Sequence, residues 1–137
     1  MGKLTRRQFV ATTAASCAAA TVSGGKVMAA QSKQSQQLIH AVFFWLKRPD
    51  SEADRDALVA GLKTLEQIPE VNSLQIGLPA STESRDVVDN SFQVSELMFF
   101  DDLDAQSAYQ AHPVHQAFVE NCSHLWERVV VHDSITV

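Results

Sequence analysis

Beyond residue 30 the chain has a single cysteine, Cys122, so no intrachain disulfide can brace it in an oxidising compartment, and core packing is the plain use of that thiol. Basic residues are scarce there as well. Four of the eleven lysines and arginines fall in the first thirty residues, whereas all sixteen acids come later. Seven basic and sixteen acidic residues then remain, a net charge of −9 that argues against a nucleic-acid partner. No later segment has the roughly 20 consecutive apolar residues of a membrane span. A Gly-rich phosphate loop, a nucleophile elbow and a Cys/His metal spacing are all missing, so no cofactor is expected. At 137 residues there is room for one core and not for two ordinary domains.

Residues 1–30 have a basic start, a weakly apolar Ala/Thr/Val middle and a small-residue end, the layout of an export signal. Thr5-Arg6-Arg7-Gln8-Phe9-Val10, with Lys26 near the far end, resembles a twin-arginine (Tat) signal. Cleavage after Ala29 or Ala30 would start the mature protein near Gln31 and place it in the periplasm or outside the cell. Ala14-Ala15-Ser16-Cys17 also resembles a lipoprotein box, and the alternative is a lipid anchor at Cys17. Residues 31–37 form a polar tether, and residues 38–137 form the folded domain.

Leu38 to Leu46 is rich in aromatic and β-branched residues and stops at Lys47-Arg48-Pro49, which predicts a strand. Both its faces are apolar, so both require cover. Asp50-Ser51 supplies a helix cap, and Leu58, Leu62 and Leu65 share one face of the helix that ends at Ile68-Pro69. Strands are predicted over Val71 to Leu78 and Ser91 to Phe100, separated by a loop over residues 79–90. Asp101-Asp102 caps a helix through Tyr109, Pro113 breaks it, and a second short helix starts at Val114. Residues 127–137 close the chain as a fourth strand. The β-α-β-β-α-β order is that of the ferredoxin-like plait, an α+β fold with helices on one face of an antiparallel sheet. Phe43 and Trp45, with Leu97 and Phe99, then form an apolar patch on the other face, which a homodimer stacked sheet on sheet would cover.

His40 in the first strand, Ile68-Pro69-x-Val71, Phe100, Tyr109-x-x-His112-Pro113-x-His115 and Val130-Val131-x-Asp133 resemble the stress-responsive α/β-barrel (Dabb) domain over about Leu38 to Ile135. The resemblance implies a dimeric α+β barrel with a pocket between helices and sheet in each protomer. The family is in turn similar to the plant enzyme olivetolic acid cyclase. On that match Tyr109 and His115 would serve in an aldol-type cyclisation, and His40 would be a pocket histidine.

His115 stands three and four residues before Phe118 and Val119 and faces inward, either as a core histidine bonded to a carbonyl or as an acid/base group working near pH 7. His112 caps or orients. Tyr109 donates to a substrate carbonyl or fills the core. Glu96 lies on a face shared with Phe92, Val94, Met98 and Phe100, so its carboxyl must be protonated or partnered, with His40 and His115 as candidates, unless a register shift turns it outward. Val42, Phe44, Val94 and Trp126 are expected to support the pocket. His40, Glu96 and His115 form an alternative divalent-metal set. His124 and His132 are expected at the surface or an interface, and Asp133 in a structural hydrogen bond. The function expected is acid/base chemistry of a cyclase or lyase kind on a small carbonyl or phenolic compound. The alternatives are a non-catalytic stress or ligand-binding protein and a cofactor-free monooxygenase.

Overall fold

The structure, a computed structural model, describes residues 36–137. The segment expected to be an export signal, most of the expected tether and Cys17 lie outside the described residues. The order is β1 (Leu38–Leu46), α1 (Glu52–Lys63), β2 (Ser73–Gly77), β3 (Val94–Phe100), α2 (Leu103–Ala111), α3 (Pro113–Cys122) and β4 (Trp126–Ile135). The four strands form one antiparallel sheet in the order β2-β3-β1-β4. This is the expected ferredoxin-like α+β arrangement, with the second helical region divided into α2 and α3.

Each helix begins where a side chain can satisfy its free N–H groups. The Ser51 hydroxyl accepts from the Asp54 amide at 3.2 Å, and the Asp102 carboxylate from the Ala105 amide at 2.8 Å. At the third start, His112 Nδ1 accepts from the Val114 amide at 3.2 Å while Pro113 occupies the first turn. His112 is therefore a capping residue, as its position before the proline suggested. Leu58 and Leu62 of α1, and Leu65 in the 3-10 turn that follows, are wholly buried against the sheet. Gly61 lets α1 approach α3 closely, since a Cβ there would stand 2.5 Å from Cys122 Sγ and 3.2 Å from Phe118 Cδ2. Cys122 is thus a packing residue beneath that crossing.

Along β1 the even-numbered residues Leu38 to Leu46 are buried under the helices and the odd-numbered ones are half-buried. The helix-free face carries Ile39, Phe43, Trp45, Leu97 and Phe99, the apolar patch read from the alternation. Arg128 lies over the Trp45 ring, 4.2 Å from its centroid, and His132 is exposed on the same face near Phe43.

β2 is shorter at both ends than the expected Val71 to Leu78, β4 runs from Trp126 to Ile135 instead of over residues 127–137, and two further departures bear on the site. The third strand starts at Val94 and not at Ser91, because the Gln93 side chain takes a ladder position by accepting from the Leu46 amide at 2.8 Å. Phe92 consequently turns from the Glu96 face to the opposite one, where it packs on Phe43 and Trp45. The second is a register shift between Trp45 and Leu46: Trp45 faces Arg128, but Leu46 faces Trp126, so Glu127 is an extra residue on β4.

Candidate functional site

The shift on β4 brings Trp126 to the helix side, where its ring lies 5.2 Å from Phe44 and stacks on Phe118 at 5.9 Å. Together these rings floor one end of a cavity of about 390 Å³ between the sheet and α2/α3. Val42 and Phe44 of β1 continue the apolar wall, and the exposed Val129 and Val131 of β4 lie at its open side. Four titratable side chains converge on it: His40, Glu96, Tyr109 and His115. Val94 is buried on the same sheet face but contributes to the core rather than to the cavity wall, and His112 is likewise outside it. Gln110, Val119, Ser123, Val129 and Val131 complete the wall without having been expected there. Only the pairing of β4 with β1, which sets Val129 opposite Phe44 and Val131 opposite Val42, could have pointed to the two valines.

His40 is held by the last strand. The register places it opposite Asp133, and its Nδ1–H donates to Asp133 Oδ1 at 2.6 Å. A carboxylate only accepts, so the neutral ring keeps its lone pair on Nε2. Asp133 therefore makes the structural hydrogen bond expected of it, and the tautomer of a cavity histidine is what it sets.

His115 owes its place to Pro113, which ends α2 and redirects the chain into α3. Its ring lies 4.6 Å from that of Tyr109, and its Nδ1–H donates to the Gln110 carbonyl at 3.2 Å, leaving Nε2 as the basic atom. Burial holds this imidazole below its ordinary pKa; the Gln110 carbonyl works the other way, and nearby His40 adds to the lowering. His115 is accordingly neutral near pH 7. The carbonyl bond expected of a core histidine is therefore present, and it engages only one of the two ring nitrogens.

The expected pairing of Glu96 with a histidine is not made. Glu96 does face the helices, but His40 gives its Nδ1 to Asp133 and His115 gives its Nδ1 to a carbonyl, while Glu96 Oε1 has no hydrogen-bond partner among the described residues. Burial pushes its carboxyl up to about 8, so it is protonated at neutral pH. Burial also raises the Tyr109 hydroxyl above its usual range, with the charge of Glu96 adding to the effect. Among the described residues no group of His, Cys, Asp and Glu is arranged to hold a metal ion, so the alternative set His40, Glu96 and His115 does not assemble. No helix of the described residues is long and apolar enough to cross a membrane.

Residues 38–136 match the model of the stress responsive A/B barrel domain, Dabb. The chain belongs to the Dabb family. No curated protein matches it in sequence. Among solved structures, this Dabb chain is similar to a Dabb family protein of ferredoxin-like fold from Mesorhizobium loti, at 24% identity and a TM-score of 0.61 over 74% of this chain and 98% of that one. It is similar to the hydroxynitrile lyase of Passiflora edulis at 21% identity and a TM-score of 0.64, covering 75% and 95% of the two chains. It is also similar to a dimeric ferredoxin-like protein of unknown function from Thermobifida fusca, at 18% identity and a TM-score of 0.60 over 75% and 93%. At these identities the likeness is one of fold.

Proposed function

We propose that this Dabb protein is exported by the Tat route and works as a homodimer. In this reading each protomer binds a small carbonyl or phenolic compound between helices and sheet and exchanges protons with it, as a lyase or cyclase would. The observation that carries the reading is the convergence of His115, Tyr109, His40 and Glu96 on a largely apolar cavity of about 390 Å³. His115 Nε2 would take a proton from a hydroxyl or from the carbon beside a carbonyl and return it to the product. Tyr109 would donate a hydrogen bond to the carbonyl oxygen, where negative charge develops. His40, fixed by Asp133, would orient the ligand through Nε2. The dimer reading is supported by the half-buried apolar face of the sheet and by the dimeric state given for the Thermobifida fusca protein.

The likeness to a hydroxynitrile lyase makes 2-hydroxynitriles one class to try, and the resemblance to a plant cyclase makes linear polyketones another. Turnover of either class by the purified mature protein, falling about a hundredfold or more in His115→Ala, is the expected result. Ligand binding with no turnover of either class would replace the enzyme reading by that of a ligand-binding protein. Oxygen uptake with quinols would replace it by that of a cofactor-free monooxygenase.

A further inference from the structure

Neither packing nor the His115–Tyr109 pair accounts for a carboxyl at Glu96. It sits mid-strand on β3, between Val42 of β1 and Ile76 of β2, and is 3% exposed. An apolar residue of similar size would fill this place without the cost of burying a carboxyl. The titratable groups facing it are His40 from β1, Tyr109 from α2 and His115 from α3. From β2 the same face presents Leu74 and Ile76, and α1 presents Leu58 and Leu62. Asp133 of β4 is engaged by His40, so any positive charge on that imidazole already has its counterion. Among the described residues no lysine or arginine lines the cavity.

Resting on the pocket reading above, we propose that Glu96 is the specificity-determining residue of the cavity. It acts as a carboxylic acid whose O–H donates to the acceptor oxygen of an uncharged carbonyl ligand, and it excludes carboxylates and other anions of the same shape.

Three observations carry this. Glu96 lines the cavity, and its Oε1 is buried without a hydrogen-bond partner among the described residues, so no protein group commits that oxygen. Among the described residues no lysine or arginine side chain lines the cavity, so a bound anion would give up water with no such cation to offset its charge. A neutral carbonyl loses little on entry and gains a donor. Above the pH at which Glu96 ionises, the donor becomes a second acceptor facing the carbonyl oxygen, and binding should weaken. Tyr109 and His115 do not change charge in that range, since the first is raised from 10.0 and the second lowered from 6.5.

The test uses two probes of nearly one shape, acetophenone and benzoate, titrated into the mature protein while the NMR signals of His115 and Tyr109 are followed. Acetophenone should bind at least about tenfold more tightly than benzoate at neutral pH, the discrimination expected when a charge is desolvated with no cation to offset it. Its affinity should fall about tenfold per pH unit above the ionisation of Glu96. Glu96→Gln keeps an N–H donor and nearly the same shape; it should retain acetophenone binding and lose the pH dependence. The carbonyl-stretch band of a protonated carboxyl in the infrared spectrum of the wild type gives a ligand-free check, since it should vanish in Glu96→Gln and, in wild type, at high pH. Equal affinity for the two probes, a pH profile that survives in Glu96→Gln, or no infrared band lost on that substitution would each overturn the inference while leaving the pocket reading standing. If acetophenone perturbs neither His115 nor Tyr109, the pocket reading falls and this inference with it.

Discussion

The rings of Tyr109 and His115 lie 4.6 Å apart, centroid to centroid, across the break that Pro113 makes between α2 and α3. In one continuous helix, residues six apart point to different sides. The break puts both on the cavity, with the Gln110 carbonyl fixing the tautomer of His115.

Tyr109→Phe removes one hydroxyl from this pair and keeps the ring contacts with Phe100 and His40. Stability measured by urea unfolding should change by no more than about 1 kcal/mol, while affinity for a carbonyl ligand falls about tenfold. A loss of stability without a loss of affinity would make Tyr109 a core residue only.

Glu96→Gln should alter how stability depends on pH. The folded state holds the Glu96 proton up to about pH 8, whereas the unfolded chain releases it near the ordinary value of 4.5. The unfolded state therefore binds fewer protons between those values, and wild-type stability falls as pH rises through that window, by on the order of 3 kcal/mol at neutral pH. The glutamine variant lacks this slope and should be the more stable protein at pH 7 to 8. Parallel urea curves for the two proteins at acidic and at slightly alkaline pH would contradict the burial of an unpaired carboxyl.

Gly61→Ala drives a methyl group to within 2.5 Å of Cys122 Sγ, where α1 crosses α3. Despite the better helix propensity of alanine, the variant should lose about 1 to 3 kcal/mol from overpacking. Cys122→Ala removes the opposing sulfur, so the two substitutions together should cost less than their sum, which a double-mutant cycle measures.

Phe43→Glu tests the dimer face. Phe43 stands on the central strand, flanked by Ser95 and Val130, and a carboxylate there would be buried between stacked sheets. Light scattering should show a monomer or an aggregate in place of a dimer. Trp45 is a poorer site for the same change, because Arg128 already lies over it and would compensate the charge.

Arg6→Lys combined with Arg7→Lys should leave the precursor in the cytoplasm, as read by cell fractionation and the mass of the retained chain. Undiminished delivery to the periplasm would rule out the Tat route.

The elements of the fold were legible because each carries a local signal. Residues of β1 alternate between two faces whatever lies beyond them, Ser51 and Asp102 cap helices through bonds three residues long, and Pro113 breaks a helix by its own chemistry. The same alternation put His40, Val42, Phe44 and Glu96 on the helix side, and in the structure all four line the cavity. The partners of the polar groups were not legible in this way. Glu96 next to two histidines suggested an ion pair, but the antiparallel register set Asp133 opposite His40, and a carbonyl five residues back took the Nδ1–H of His115.

From the sequence alone come the α+β order of elements, the two faces of the sheet, the kink at Pro113 and the inward placing of Glu96, because each depends on residues within a few positions of one another. The tertiary structure decided that Glu96 stands unpaired, that Phe92 crosses to the open face and how Trp126, expected at the pocket, is brought to it. Each of these depends on the pairing of strands distant in the chain: the Gln93 side chain inserted beside Leu46, and the extra residue Glu127 opposite the Trp45–Leu46 step. A one-residue shift in pairing reverses the face of every side chain beyond it, and no local pattern in the sequence records such a shift.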